Sequence, residues 1–430
     1  MGNGNIRPQS SRSSPVVPFQ GDKKWKNQLK FSSRTKYVES SLFRWKPVTT
    51  TGSCLHERSG HSLSEFGKCN FLIFGGLLRS QPTNSEIHED QSVIFNVKTE
   101  VCTELRCYGR NPPSRASHAV CSDNAGNIYV VGGTTANGLL GDMYKLNYRT
   151  LRWHRLKFSD EVSKKVLNLY GHSLVYYQNR LISFGGTAGM SYTSLSCSFD
   201  LESETWSTLQ TTGRRPSPRY QHKAFIPTKE NSDSMYILGG GNFRPCETFL
   251  DIYSLDLVTL NWNKLFCSGP PPISRFAFDL TYDAHSHSLY IFGGLAADLS
   301  TMDDLYCLEL YTMSWKKIVT KNNPPKRAFH TLFGYNSHLF LLGGANGLQR
   351  YETVWKFQIR QEVKSLLELA AQCLMRHQRR KKKNNKVKNR YLALENTAAL
   401  SESLPCELRD YMMESFGEKE SNLATAPFLF

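Results

Sequence analysis

Five arginines stand at matching places in five repeats of this sequence: Arg58, Arg115, Arg219, Arg275 and Arg327. Four of them open an Arg-x-x-His step, ending at His61, His118, His222 and His330, and Arg275 leads instead to Phe278. Guanidiniums brought together on one face would attract a carboxylate and orient it through bidentate hydrogen bonds. The same side chains could instead pin their own loops by donating to backbone carbonyls, and the residues alone leave both readings open. Arg79 and Arg244 follow Gly-Gly pairs closely and could reach the same mouth, where Tyr170 and Tyr220 would flank a bound peptide. The histidines, with His172 in the third repeat, read as scaffold positions because they recur. A metal ring would require them to converge on an axis, so neither a metal site nor a catalytic set is expected.

These residues are positioned by six apolar runs that each end in two glycines. The first glycine of each pair falls at Gly75, Gly132, Gly185, Gly239, Gly293 and Gly343, steps of 57, 53, 54, 54 and 50 residues. A period near fifty marks a repeat architecture. Each unit has a strand entered through the arginine, then the apolar run, apolar on both faces as in a strand packed between sheets. An alternating strand follows, such as Asp142-Met143-Tyr144 or Asp304-Leu305-Tyr306, and then a strand with a tryptophan: Trp153, Trp206, Trp262 or Trp315. Four short strands per unit build a propeller blade. Leu169 and Phe278 replace the arginine and histidine in units three and five, and the tryptophan slot of unit one lies near Cys102. The last unit lacks a fourth strand, and an isolated strand carrying Trp45 lies upstream of the first. Pairing the two closes the ring and removes its open edges. The expected fold is an all-β, six-bladed propeller closed by an N-terminal strand and followed by short C-terminal helices.

The 430 residues divide into an expected disordered segment 1–40, the propeller 41–360, a helix 361–375, a linker 376–400, a helix 401–417 and a flexible tail 418–430. Residues 1–40 are polar and aperiodic, too poor in apolar surface to offset chain entropy. Nine basic and no acidic residues lie between Arg376 and Arg390, so over half of the +16 net charge sits there. That stretch reads as a solvated linker, a nuclear import signal or a contact for polyanions. No apolar run reaches the roughly 20 residues that span a bilayer. The N-terminus has no apolar signal-peptide core, and Ile6 argues against myristoylation of Gly2. Eleven scattered cysteines fit reduced thiols in the cytosol or nucleus.

Together the Gly-Gly runs, the downstream tyrosines and the tryptophans resemble kelch-repeat propellers over residues 43 to 359. After Ile359 the period becomes helical, with Val363, Leu366, Leu367, Ala370, Cys373 and Leu374 on one face. Ser365, Leu366, Ala370 and Leu374 look like a BC-box, the helix that docks into elongin C. Leu404, Pro405, Leu408 and Met412 look like a cullin-2 box. The resemblance implies a non-enzymatic substrate receptor of a cullin-2 RING ubiquitin ligase in nucleus and cytoplasm. Its partners would be elongin B/C and cullin-2, and it would need no cofactor. Related kelch receptors read a substrate's C-terminal tail, which assigns that role to Arg58, Arg115, Tyr170, Arg219, Tyr220, Arg244, Arg275 and Arg327. The alternative is a non-catalytic scaffold that binds a signalling protein, such as a phosphatase in stress signalling. Copper oxidases also use kelch propellers, but this sequence lacks their ligand spacing.

Overall fold

Each Gly-Gly run is the second strand of a four-stranded antiparallel sheet, and six such sheets make the ring. The structure is a computed structural model in which residues 43–52, 55–79, 86–88, 91–228, 232–242 and 247–360 are described. All of them belong to one compact unit, Met1–Arg360. Both box-like segments, the basic stretch and the two termini lie outside the described residues. Among those described, no helix is long and apolar enough to cross a membrane.

The second strands are Asn70–Phe74, Ile128–Val131, Arg180–Phe184, Ser234–Leu238, Ser288–Phe292 and His338–Leu342. Their cores are buried on both faces, with Ile73, Val130, Val131, Ile237, Ile291 and Leu341 shielded from water. That is why the runs are apolar throughout rather than alternating. In blade five the order is Asp279–Asp283, Ser288–Phe292, Leu305–Glu309, Ser314–Ile318, from the axis outward. In blade six the first three strands are Thr331–Tyr335, His338–Leu342 and Val354–Gln358.

The fourth strand of blade six is Trp45–Val48, antiparallel to Val354–Gln358 with Trp45 opposite Phe357. That register repeats elsewhere: Trp153 faces Leu146, Trp206 faces Phe199, Trp262 faces Leu255 and Trp315 faces Leu308. Cys102 occupies the same place in blade one, opposite Phe95. Trp45 is fully buried and packs on Phe292 of blade five and Phe357, with ring centroids 5.3 and 5.1 Å away.

The outer edges are covered too. The loop leaving each fourth strand runs parallel to the fourth strand of the next blade. Thr51–Gly52 lies on blade one, Tyr108–Gly109 on blade two and Thr212–Gly213 on blade four. Single bridges do the same on blade five (Ser268 with Ser314) and blade six (Lys321 with Arg44). Blade three differs, because its incoming loop winds into a helix, Glu161–Leu167, capped by Asp160 accepting from the Ser163 N–H. The helix buries Val166 and Leu167 among residues of blades two and three, including Tyr129, Phe199 and Trp206. It also delivers Leu169, the residue that replaces arginine in this blade.

Candidate functional site

The glycine pairs sit at one end of the ring, and the loops there build the mouth. In every blade the residue after the arginine position bridges the residue after Gly-Gly: Ser59 with Leu77, Ala116 with Thr134, Tyr170 with Thr187, Tyr220 with Gly241, Phe276 with Leu295, Ala328 with Ala345. The next residue of each blade is in the left-handed region, at φ 51° to 68° for Gly60, Ser117, Gly171, Gln221, Ala277 and Phe329. That conformation turns the six peptides toward the axis. Each N–H then donates to the carbonyl of the preceding blade's counterpart, and Gly60 donates to Phe329, closing a ring of six hydrogen bonds at 2.7–3.1 Å.

Above this ring lies a cavity of about 390 Å³, bounded by Tyr220, Phe276, Leu295 and Leu299 on one side and by small residues around Ala328 and Ala345 on the other. An aromatic group backs it. Tyr220 packs on Phe276 at 5.7 Å, on Tyr192 at 5.5 Å and edge-on against Tyr170 at 6.1 Å. Among the described residues the lining includes one cation, Arg350, and no carboxylate. Arg350 is half-buried and its Nε donates to Ser59 Oγ at 3.1 Å. The described part of the mouth is therefore largely apolar, with a guanidinium at one corner. Leu139, Met190, Leu299 and Leu348 stand exposed on the surrounding loops.

The five repeated arginines are not part of this surface. Arg58, Arg115, Arg219, Arg275 and Arg327 are all fully buried. Each Nε donates to the carbonyl two residues back, and each Nη1 to the carbonyl of the first glycine of its own blade, as in Arg219 to Ser217 (3.1 Å) and Gly239 (2.9 Å). Three of them also form ion pairs with the residue before the third strand, buried for Arg115 with Asp142 (2.7 Å) and part-buried for Arg219 with Asp251 (2.6 Å) and Arg275 with Asp304 (2.6 Å). Gln91 and Thr353 stand at that place in blades one and six. Arg327 lies over the Tyr351 ring at 4.2 Å, and burial lowers its pKa to about 10. The expectation of a carboxylate-reading ring of these five is thus corrected: their guanidiniums lock the entry loop to the Gly-Gly turn. Arg244 lies outside the described residues, as does the side chain of Arg79.

The histidines are likewise internal. His61 Nε2 is hydrogen-bonded to the Thr331 hydroxyl of blade six (3.1 Å), His118 to Ser62 of blade one (2.7 Å), and His222 to Ser173 of blade three (2.9 Å). Burial, and nearby arginines for all but His172, lower their pKa, to about 3 for His61, about 4 for His172 and well below 6.5 for His118, His222 and His330. They are neutral spacers between blades, and Phe278 fills the same slot in blade five. Each rests against the first glycine of the blade before it, where a Cβ would collide, as at Gly185 against His222. The second glycine's N–H donates across the same seam, for example Gly186 to the Arg219 carbonyl at 2.8 Å. No metal-binding group of His, Cys, Asp and Glu occurs among the described residues.

Below the ring the first strands line a second cavity of about 530 Å³ along the axis. It holds the Lys223–Asp279 pair (2.9 Å), and Asp279 also accepts the Leu332 N–H at 2.7 Å, tying blades four, five and six together. Of the sequence candidates, the structure brings Tyr220 to the mouth, with Tyr170 behind it. Arg350 was missed by sequence reasoning. The signal was available, since it follows the last Gly-Gly pair as Arg79 and Arg244 follow theirs.

Comparison with known proteins agrees with this geometry. The family model described as the KLHDC2/KLHL20/DRC7 Kelch-repeats domain matches residues 19–166, 60–232 and 228–380. Acyl-CoA-binding domain-containing protein 5 of Arabidopsis thaliana is 31% identical over 304 residues, 67% of this chain and 45% of that protein. Kelch domain-containing protein 2 of Bos taurus is 28% identical over 65% of this chain and 73% of its own length. Kelch domain-containing protein 10 of Rattus norvegicus is 27% identical over 58% and 64%. The chain thus spans less than half the length of the plant relative.

Proposed function

Because the chain belongs to the KLHDC2/KLHL20/DRC7 kelch-repeat family, we propose that it is a substrate-recognition subunit of a cullin-2 RING ubiquitin ligase. It would bind protein partners at the mouth through the end of an extended tail. One observation supports this reading: among the described residues the lining of the mouth is largely apolar and includes the guanidinium of Arg350. Apolar walls with a few placed polar groups suit a small, oriented ligand. A free C-terminus supplies both parts, apolar side chains for the wall of Tyr220, Phe276 and Leu295 and a carboxylate for Arg350. The carboxylate role is thereby assigned to an arginine on a loop rather than to the buried set.

The connection to the ligase would run through Ser365, Leu366, Ala370 and Leu374 to elongin B/C, and through Leu404, Pro405, Leu408 and Met412 to cullin-2. The last described residue, Arg360, lies at the end of the propeller opposite the mouth. There Arg360 is paired with Asp283 and donates to the Asn336 carbonyl at 3.0 Å.

Peptides with free and amidated C-termini, titrated by fluorescence polarisation, test the mouth. A charge-assisted hydrogen bond is worth about 1.5–3 kcal/mol, so Arg350→Glu should weaken binding of the free-carboxylate peptide at least about tenfold and leave Arg350→Lys intermediate. Equal binding of amidated and free peptides would refute the carboxylate reading. The ligase arm is tested separately by Leu366→Lys, which should abolish co-purification of elongin C. If elongin C is still retained, the chain is a protein-binding propeller outside such a ligase.

A further inference from the structure

The outer edges of five blades are covered by one recurring device. A residue bearing a hydroxyl precedes glycine in four of them, at Thr51–Gly52, Tyr108–Gly109, Thr212–Gly213 and Ser268–Gly269, and Lys321–Asn322 takes the place on blade six. The glycines have φ 91°, 86°, 77° and 76°, and Asn322 has φ 58°. A Cβ on any of the four glycines would collide with the carbonyl oxygen of the edge residue beneath it, Cys102, Trp153, Trp262 or Trp315. The bonding is regular where the pair forms a full strand. On blade two, Tyr108 donates to the Leu151 carbonyl (2.8 Å) and Arg110 to that of Trp153 (3.2 Å). On blade four, Thr212 donates to Leu260 (2.9 Å) and Arg214 to Trp262 (3.1 Å).

Blade three keeps the receiving half of this device without the donor. Glu204 has φ 51°, matching the turn residues Glu100 (61°), Leu151 (52°), Leu260 (57°) and Met313 (46°) of the covered blades. Trp206 stands in the same register as Trp153 and Trp262. The incoming loop has Ser159-Asp160 where the others have their hydroxyl–glycine pair, and Asp160, at φ −77°, caps the helix instead of crossing the edge. The helix packs beside Trp206, while Thr205, Ser207 and Thr208 are exposed. Among the described residues no backbone N–H donates to the carbonyls of Glu204 or Trp206. An open strand edge with its hydrogen-bonding groups aligned is a template for strand addition.

We propose that this edge, Glu204 to Thr208, is a docking site for an extended segment of a partner protein. The segment runs parallel to the edge and places a Ser, Thr or Tyr followed by Gly so that the glycine lies over the Trp206 carbonyl. The five covered edges define its direction, register and composition. The site is separate from the mouth and does not depend on what the mouth binds.

The test uses the full chain and a synthetic peptide copying residues 209–216, Leu-Gln-Thr-Thr-Gly-Arg-Arg-Pro, the segment that plays this part on blade four. Amide hydrogen exchange resolved at Trp206 should be fast in the free protein, against slow exchange at Trp153, Trp262 and Trp315. Saturating peptide should slow Trp206 at least tenfold, and a peptide with alanine in place of its glycine should leave it unchanged. Full protection at Trp206 without peptide, no protection with it, or equal protection by the alanine peptide would each overturn the proposal. So would protection that rises with protein concentration alone, which would assign the edge to a second copy of this chain.

Discussion

Trp45→Ala should destabilise the propeller by about 3–5 kcal/mol, the usual cost of emptying a fully buried aromatic site. The loss is large for two reasons. Trp45 fills the gap between blades five and six against Phe292 and Phe357, so truncation leaves a cavity across a seam between blades. Its strand is also the closure itself. It reaches blade six from the far end of the sequence, held by four paired positions and by the Trp45 N–H donating to Lys321 at 3.0 Å. Urea denaturation followed by circular dichroism measures the cost, and a variant beginning at residue 49 should not fold cooperatively. If Trp45→Ala lies within 1 kcal/mol of the parent, the N-terminal strand does not close the ring.

Acid should unfold the protein earlier than its carboxylates alone would dictate. His61 and His172 have folded-state pKa values lowered to about 3 and 4, and His118, His222 and His330 are lowered in the same direction by burial. The unfolded chain protonates its histidines near 6.5, so below that pH it binds more protons than the fold. Stability is full above about pH 6.5 and falls as pH drops toward the folded values, by up to about 1.4 kcal/mol per pH unit for each histidine. Five such groups can remove on the order of 5–10 kcal/mol by about pH 5, comparable with the whole stability of a typical domain. The urea midpoint should therefore decline steeply between pH 7.5 and 5. His172→Phe and His330→Phe copy the residue that blade five already has at Phe278. Each should hold its stability at pH 7.5 and flatten the decline by about one proton. A midpoint that stays constant over that range would show that the histidines titrate normally.

The architecture was legible because it repeats. Gly-Gly is required wherever the next blade's histidine or phenylalanine presses on the turn, so the same sterics wrote the same residues six times. Trp45 was legible by subtraction, since the last repeat lacked a fourth strand and the strand carrying Trp45 lacked a blade. The arginines were harder to read because a repeated cation looks the same in sequence whether it faces a ligand or a lattice of backbone carbonyls. The deciding residues were their partners, Asp142, Asp251 and Asp304, which lie 27 to 32 residues further on. Those aspartates precede the third strand only in blades two, four and five, so the pairing showed as a partial covariation inside one chain. The helix Glu161–Leu167 left a fainter trace, an Asp160 cap with Ser163 three residues later.

The ring of six hydrogen bonds beneath the mouth has an electrical consequence. Its amide dipoles run head to tail around the axis, so their in-plane components sum to zero. Every N–H in the circle already has its acceptor. A helix end or a nest of backbone amides can hold an anion because its N–H groups converge outward; this floor is the opposite case, polar in every bond and neutral toward whatever lies above it. Discrimination by charge at the mouth therefore rests on side chains, and under the proposed carboxylate reading Arg350→Glu should turn the preference from anions toward cations.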